Sequence, residues 1–353
     1  MERIAGSTGK GGAPAKTALP EGGRIVVLRA LPGLGDTLCA IPSLRAIKRS
    51  RPDLSITVLT SDEAVPYWQR YPDRADRVVA FPGWPGLPER KPDVVRIPGF
   101  LAEMQAERFD LAIQLHGEGR IVNQIVALLG ARRAAGHHPP AEVGPVAGTW
   151  LPWRDGVSEI RRGLRLMRAL GFEEDDESLE FSVAQGVVAQ APIVRELFPA
   201  PRHGEDPAPL AIVHPGSSTT SRRWPIERFA RVADGLADEG MRIAISGVAT
   251  ERPLAERLQA SMRSSAIDLT GRTTLDELAE ILRRSAVVVC NDTGISHLAA
   301  ALRVPSVVIF TDSEMARWAP LDGRLHRPVS GSADQVLNQA RRVARWGSGH
   351  AAA

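Results

Sequence analysis

Short apolar runs alternate along the chain with longer stretches in which apolar positions recur every three or four residues, the pattern of strands followed by amphipathic helices. RIVVLRA (24–30), SITVLT (55–60) and RFDLAIQLHG (108–117) read as strands, with helices expected over Asp36–Ser50 and Ile121–Leu129. The Pro-, Gly- and Trp-rich stretch from Tyr71 to Pro98 reads as loops with one short strand, RVVAFPG. An Arg-rich helix from about Gly156 to Gly171 precedes the acidic run EEDDE, and the polar, Pro-rich PAPRHGEDPAP (199–209) reads as a linker. A second series then begins, with strands LAIVHPG, MRIAISG, AIDLTG, SAVVVCND and VPSVVIF and helices over Pro225–Glu239, Glu251–Met262, Thr274–Arg284 and Ile295–Leu302. After a return segment, a last helix near Ala333–Trp346 is expected to pack back on the first half.

Strands separated by helices imply parallel sheets with crossover helices. The predicted architecture is α/β, with two Rossmann-like, doubly wound domains facing one cleft. Its predicted boundaries are a disordered leader (1–22), a first domain (23–198), the linker (199–209), a second domain (210–328) and the C-terminal helix with a flexible tail (329–353).

The length of 353 residues supports two domains, since a single core rarely grows beyond about 250–300 residues. No apolar run reaches the ~18 residues that a membrane helix needs, and the leader lacks the continuous apolar segment of a secretory signal. A net charge of +3, with Arg dispersed along the chain, argues against nucleic acid as a partner. The two cysteines, Cys39 and Cys290, each lie in apolar surroundings, so neither a disulfide framework nor a metal cluster is expected, and a cytoplasmic setting fits.

Three motifs carry candidate chemistry. GLGDTL (33–38) follows the first strand, but Leu38 stands where a dinucleotide fingerprint needs a small residue, and Asp36 would repel a pyrophosphate. Asp36 is then either an N-cap or a general base aimed into the cleft, with Gly35 allowing a substrate close to the backbone. HPGSSTTSRRWP (214–225) offers small and hydroxylated residues, Ser217, Ser218 and Thr219, with Arg222 and Arg223 adding positive charge. It reads as an anion cradle or as a solvated basic loop. CNDTGISHLAAAL (290–302) ends a strand and starts a helix, so Thr293, Gly294 and His297 suit a phosphate; the alternative is an Asp292 cap with a satisfied His297 packed in the interface.

These motifs, in this order with GRTTLDELAEIL and RWAP, resemble glycosyltransferase family 9, whose best-known members are the ADP-heptose:lipopolysaccharide heptosyltransferases. The resemblance implies a GT-B fold, with the acceptor domain first and the nucleotide-sugar domain second, and inverting transfer with no required metal or other cofactor. It makes Asp36 the catalytic base and puts Ser217, Ser218, Thr219, Arg222, Asp292, Thr293, Gly294 and His297 on the donor. Glu251, after Gly247, matches the acid that holds the ribose, while Gly35 and Arg120 fall on the acceptor side. The interval from Arg29 to Asp36 is one residue longer than the family's usual form. The implied function is transfer of a heptose or related sugar, from ADP-heptose, to a glycan or glycolipid such as lipopolysaccharide inner core. The resemblance also implies a monomer, cytoplasmic or peripheral to the inner membrane. A sugar-nucleotide epimerase and a catalytically silent sugar-nucleotide binder are the alternative readings.

Overall fold

A computed structural model describes residues 19–142, 144, 147–183, 188–200 and 208–350, with side chains described as far as Ala344. The first 18 residues of the expected leader, the middle of the expected linker (201–207) and the end of the tail lie outside this range.

The first half begins with β1 (Arg24–Leu28), α1 (Leu34–Ser50), β2 (Ser55–Thr60), α2 (Val65–Trp68) and β3 (Arg77–Ala80). It continues with α3 (Ile97–Ala106), β4 (Leu111–Gln114), α4 (Ile121–Leu128), β5 (Arg133–His138), β6 (Gly148–Pro152), α5 (Glu159–Ala169) and α6 (Pro192–Leu197). The second half opens with β7 (Leu210–His214), α7 (Ile226–Ala237), β8 (Arg242–Ile245), α8 (Arg252–Ser261), β9 (Ala266–Asp268) and α9 (Leu275–Arg283). It ends with β10 (Val287–Asn291), α10 (Gly294–Ala301), β11 (Ser306–Ile309), α11 (Met315–Trp318), β12 (His326–Val329) and α12 (Ala333–His350).

The strands form two six-stranded sheets, ordered β3-β2-β1-β4-β5-β6 and β9-β8-β7-β10-β11-β12, and all the pairings are parallel. The central strands are buried on both faces, which explains why RIVVL and VVVCN are near-continuous apolar runs with no polar alternation. In each sheet the strand order reverses between the first and fourth strands, β1/β4 and β7/β10. That reversal opens a crevice beyond the strand ends, where open α/β sheets bind ligands. The β1–α1, β4–α4, β7–α7 and β10–α10 loops, which hold most of the candidate residues, all leave from these two crevices.

One apolar cluster crosses from half to half, joining Leu38 and Cys39 of α1 to Ile295 and Leu298 of α10. Each such side chain taken from water contributes about 1.5–3 kcal/mol, so the seam is a packed interface with its own core. Polar ties run along the same seam. Arg70 pairs with Asp276 at the start of α9, and the Gly156 N–H donates to Glu314 Oε1 at 2.8 Å.

The structure changes several expectations. Helix α12 packs on the second sheet instead of returning to the first half: Val336, Ala340, Val343 and Ala344 bury against the cluster that contains Phe229, Val232 and Ala233. The stripe at intervals of three and four residues fits α7 and the adjoining strands, and Arg341 pairs with Glu239 at its edge. The return segment is itself β12, the edge strand beside β11. Residues 19–22, expected in the leader, are tied down: Leu19 is buried and the Gly22 N–H donates to Asp53. The end of the stretch assigned to the first half also leans on the second, with α6 packed on α9 and Leu197 O accepting from Arg242. The acidic run after α5 is anchored, Glu174 lying buried between Arg45 and Arg49 of α1.

Candidate active site at the seam

Helix α1 starts at Leu34, two residues earlier than its sequence suggests, with Gly33 as its N-cap. Asp36 is therefore not the cap but sits in the first turn, where the positive end of the helix dipole favours its charge. Its Oδ1 accepts from Arg29 Nη2 at 3.3 Å, and its backbone carbonyl accepts from Arg29 Nε. The longer Arg29–Asp36 interval thus still closes into a pair. The Asp36 side chain keeps 24% of its surface, against 3% for Arg29, so a substrate hydroxyl has access to the carboxylate but not to the guanidinium.

Arg29 is held from the other side by Glu159 Oε1 at 2.7 Å and by the Leu115 carbonyl. Glu159 Oε2 accepts from Arg317 Nε of α11 at 2.9 Å, and Arg162 Nε lies 3.5 Å away. Burial pushes the Glu159 carboxyl up, but the charges and hydrogen bonds of Arg29 and Arg317 outweigh it and hold the pKa at about 2. Burial likewise works against the Arg29 charge, and Glu159 with Asp36 reverses it, raising the Arg29 pKa. Trp153 completes the arrangement, with the Arg162 guanidinium 3.5 Å and that of Arg317 5.2 Å from its ring centre.

Across the seam, α10 begins at Gly294 with Thr293 as its N-cap, so the expected alternative of an Asp292 cap does not hold. Thr293 makes no side-chain cap bond, which leaves its hydroxyl and the first N–H groups of the helix for a ligand. His297 is buried and meets the first half directly: a Cβ on Gly35 would lie 2.5 Å from His297 Cδ2, so only glycine lets α1 and α10 start this close together. Burial pushes the Cys39 thiol up and keeps it protonated, and its Sγ lies 3.5 Å from His297 Nδ1. Burial also lowers the His297 pKa, against the opposing charges of Asp292 and Asp36. A neutral ring that accepts the thiol proton at Nδ1 carries its own hydrogen on Nε2, where it can donate.

The loop after β7 is shaped by a residue that motif reading passed over. Asn291 Nδ2 donates to the carbonyls of Pro215 and Gly216, and its Oδ1 accepts from the Trp224 N–H at 3.0 Å, fastening both ends of the loop to β10. Its place at the end of an apolar strand was the available signal. Ser217 is buried, Ser218 and Thr219 are exposed, and Arg223 Nε donates to the Ser217 carbonyl at 2.9 Å. The Arg222 N–H donates to the Thr219 carbonyl, and its guanidinium has no hydrogen-bond or ion-pair partner among the described residues. Glu251 lies against Gly216 so closely that a Cβ there would collide with the carboxylate, and it accepts from the Val248 N–H at 3.0 Å beside Gly247. His214 approaches the same carboxylate at 4.0 Å.

The structure thus brings Gly35 and Asp36 together with Gly294 and His297, and gathers Ser217, Ser218, Thr219, Arg222, Gly247, Glu251, Asp292 and Thr293 around the crevice of the second sheet. Arg120 is not joined to this network: it is exposed, has a backbone φ of +53°, and pairs with Glu118. No helix of the described residues is long and apolar enough to cross a membrane.

The profile of glycosyltransferase family 9 (heptosyltransferase) matches residues 159–342, more than half the chain. The chain belongs to glycosyltransferase family 9. As a family 9 glycosyltransferase it is matched from the start of α5 into α12, whereas Gly35, Asp36 and Arg120 precede the matched segment. No curated protein matches it in sequence. Among solved structures it is similar to a family 9 glycosyl transferase from Veillonella parvula, with a TM-score of 0.76 and 19% identity over 94% of this chain and 100% of that one. It is also similar to the ADP-heptose lipopolysaccharide heptosyltransferase II of E. coli, with a TM-score of 0.71 and 18% identity over 92% and 99% of the two chains. For E. coli heptosyltransferase WaaC, solved with ADP, the TM-score is 0.61 and the identity 20% over 93% and 98%. These likenesses show that the family 9 member has the GT-B fold.

Proposed function

We propose that this glycosyltransferase moves a heptose or related sugar from ADP-heptose to a hydroxyl of a glycan acceptor such as lipopolysaccharide inner core, with inversion at the anomeric carbon. One observation carries the reading: the half-buried carboxylate of the first half, Asp36, and the helix start of the second half, Thr293–His297, meet at one seam through Gly35. An acceptor oxygen held beside Asp36 attacks the anomeric carbon while its proton passes to the carboxylate. The bond from that carbon to the diphosphate oxygen breaks on the opposite side, which inverts the centre. The leaving ADP gathers charge. The Thr293 hydroxyl, the first N–H groups of α10, His297 Nε2 and Arg222 supply donors for it, while Glu251 offers the ribose hydroxyls a carboxylate. Arg120 is proposed to meet the acceptor from the loop after β4.

A thermal-shift screen of nucleotide sugars, followed by mass spectrometry of donor and acceptor mixtures, tests the reading. A shift with ADP-heptose and an acceptor heavier by one heptose is the expected result. A preference for another nucleotide sugar overturns the donor, and conversion of the donor alone to an isomer overturns transfer.

A further inference from the structure

Among the described residues, Glu159 is the one carboxylate of the seam that touches charged groups of both halves. Its two oxygens are used separately, Oε1 for Arg29 at 2.7 Å and Oε2 for Arg317 at 2.9 Å. Arg29 reaches Asp36 directly, while Arg317 belongs to α11, beyond the second sheet. The four side chains form one line, Asp36–Arg29–Glu159–Arg317, with its two central members almost fully buried. A charge this deep is costly unless both sides of it are paired, and on Oε2 Arg317 makes the hydrogen bond while Arg162 Nε lies farther off, at 3.5 Å.

We infer that Glu159 is a positioning residue for the transfer reaction: it fixes Arg29 on the Asp36 carboxylate, and through Arg317 it makes that alignment depend on the two halves standing together. The inference rests on the reading of Asp36 as the base. If α11 draws away, Glu159 loses one of its three charge partners inside a low-dielectric site and keeps only Arg162, at 3.5 Å, on Oε2, so its hold on Arg29 changes. Asp36 Oδ1 is then no longer fixed, while Oδ2, the oxygen left for the acceptor proton, loses its direction. The line thus ties the base to the presence of the donor half, which also carries the nucleotide loops. Trp153 adds rigidity, since Arg162 and Arg317, the two arginines beside Glu159 Oε2, both pack on its ring. Nothing in the sequence distinguishes Glu159 from an ordinary acid in the first turn of a helix.

The experiment uses the full chain, ADP-heptose and lipopolysaccharide inner-core oligosaccharide, with transfer followed by ADP release and ADP affinity measured by calorimetry. Glu159→Gln keeps the shape and removes the charge, and is expected to lower kcat roughly 10- to 100-fold, the scale of an ångström of misplacement. ADP affinity should stay within about twofold, because none of the residues proposed to hold the nucleotide makes a hydrogen bond or ion pair to Glu159; a purely structural role would lower both together. Arg317→Gln should reduce kcat similarly, the double variant should lose little more than either single one, and Arg317→Lys should recover part of the rate. An unchanged kcat in Glu159→Gln, beside an inactive Asp36→Asn, overturns the inference and leaves the base reading standing. A fully active Asp36→Asn overturns the base reading itself.

Discussion

The two faces of the seam spend their polar groups in opposite ways. On the first-half face Arg29 and Glu159 are already matched by protein, Glu159 also by Arg317 reaching across from the second half, while Asp36 keeps an open edge. On the second-half face Ser218 and Thr219 are exposed, the Arg222 guanidinium has no partner among the described residues, and the helix start at Thr293 has no side-chain cap. A face with its hydrogen bonds internally satisfied fixes geometry. A face with donors left over receives an anion. On the proposed reading, the difference matches a division of the reaction's demands between the halves, precise placement of a base on one and neutralisation of a leaving diphosphate on the other.

The largest effect is expected where the satisfied face opens. Asp36→Asn should slow single-turnover transfer by ~10²–10⁴, the usual contribution of a general base, with donor affinity retained. Because Asp36 is not the cap of α1, this substitution should leave the melting temperature nearly unchanged, and a large fall in stability at unaltered rate would reverse the assignment. On the receiving face, Arg222→Ala should weaken ADP by about 1.5–3 kcal/mol in calorimetry, the worth of a hydrogen bond to a charged group. Arg223→Ala should cost less, since Arg223 is already engaged by the Ser217 carbonyl; the reverse ranking would show that the wrong neighbour meets the diphosphate.

Between the faces, Gly35→Ala drives a methyl group into His297. Roughly 1–3 kcal/mol of stability should be lost through overpacking, read as a lower unfolding midpoint, and transfer should fall as α1 and α10 separate. An alanine accepted without change would mean that the seam is looser than its contacts imply. The smallest effect is on acid stability. The Glu159 pKa is depressed from 4.5 to about 2 in the fold, so the carboxylate contributes stability that is full above pH 4.5 and lost as pH falls toward 2. Glu159→Gln should flatten the urea-unfolding free energy across that window, whereas an unaltered slope would mean that the pair with Arg29 is not formed in solution.

Much of this arrangement was legible in the residues. Apolar runs bounded by Gly and Asp marked the strands of both switch points, and the motifs at 33–38, 214–225 and 290–302 lie on the loops that leave them. Strands β5 and β6 were not legible. RAAGHH and GTWLP contain few β-branched residues, and they are held as strands by pairing with β4 and with each other. The final helix was found in sequence but sent to the wrong half, because an amphipathic stripe tells that a face is buried and not against what. Asn291 and Glu159 escaped for a related reason. Each looks ordinary locally, a polar strand end and a helix-start acid, and acquires its part only from groups 67 to 158 residues away.

The division between the two faces is tested most directly by hydrogen exchange of the full chain with and without ADP, read peptide by peptide. Slower exchange at 216–223 and 293–298, with residues 115–120 and the rest of the first sheet's crevice unaffected, is the expected result. Equal protection of 115–120 by ADP alone would place the nucleotide on the face assigned to the acceptor and contradict the account.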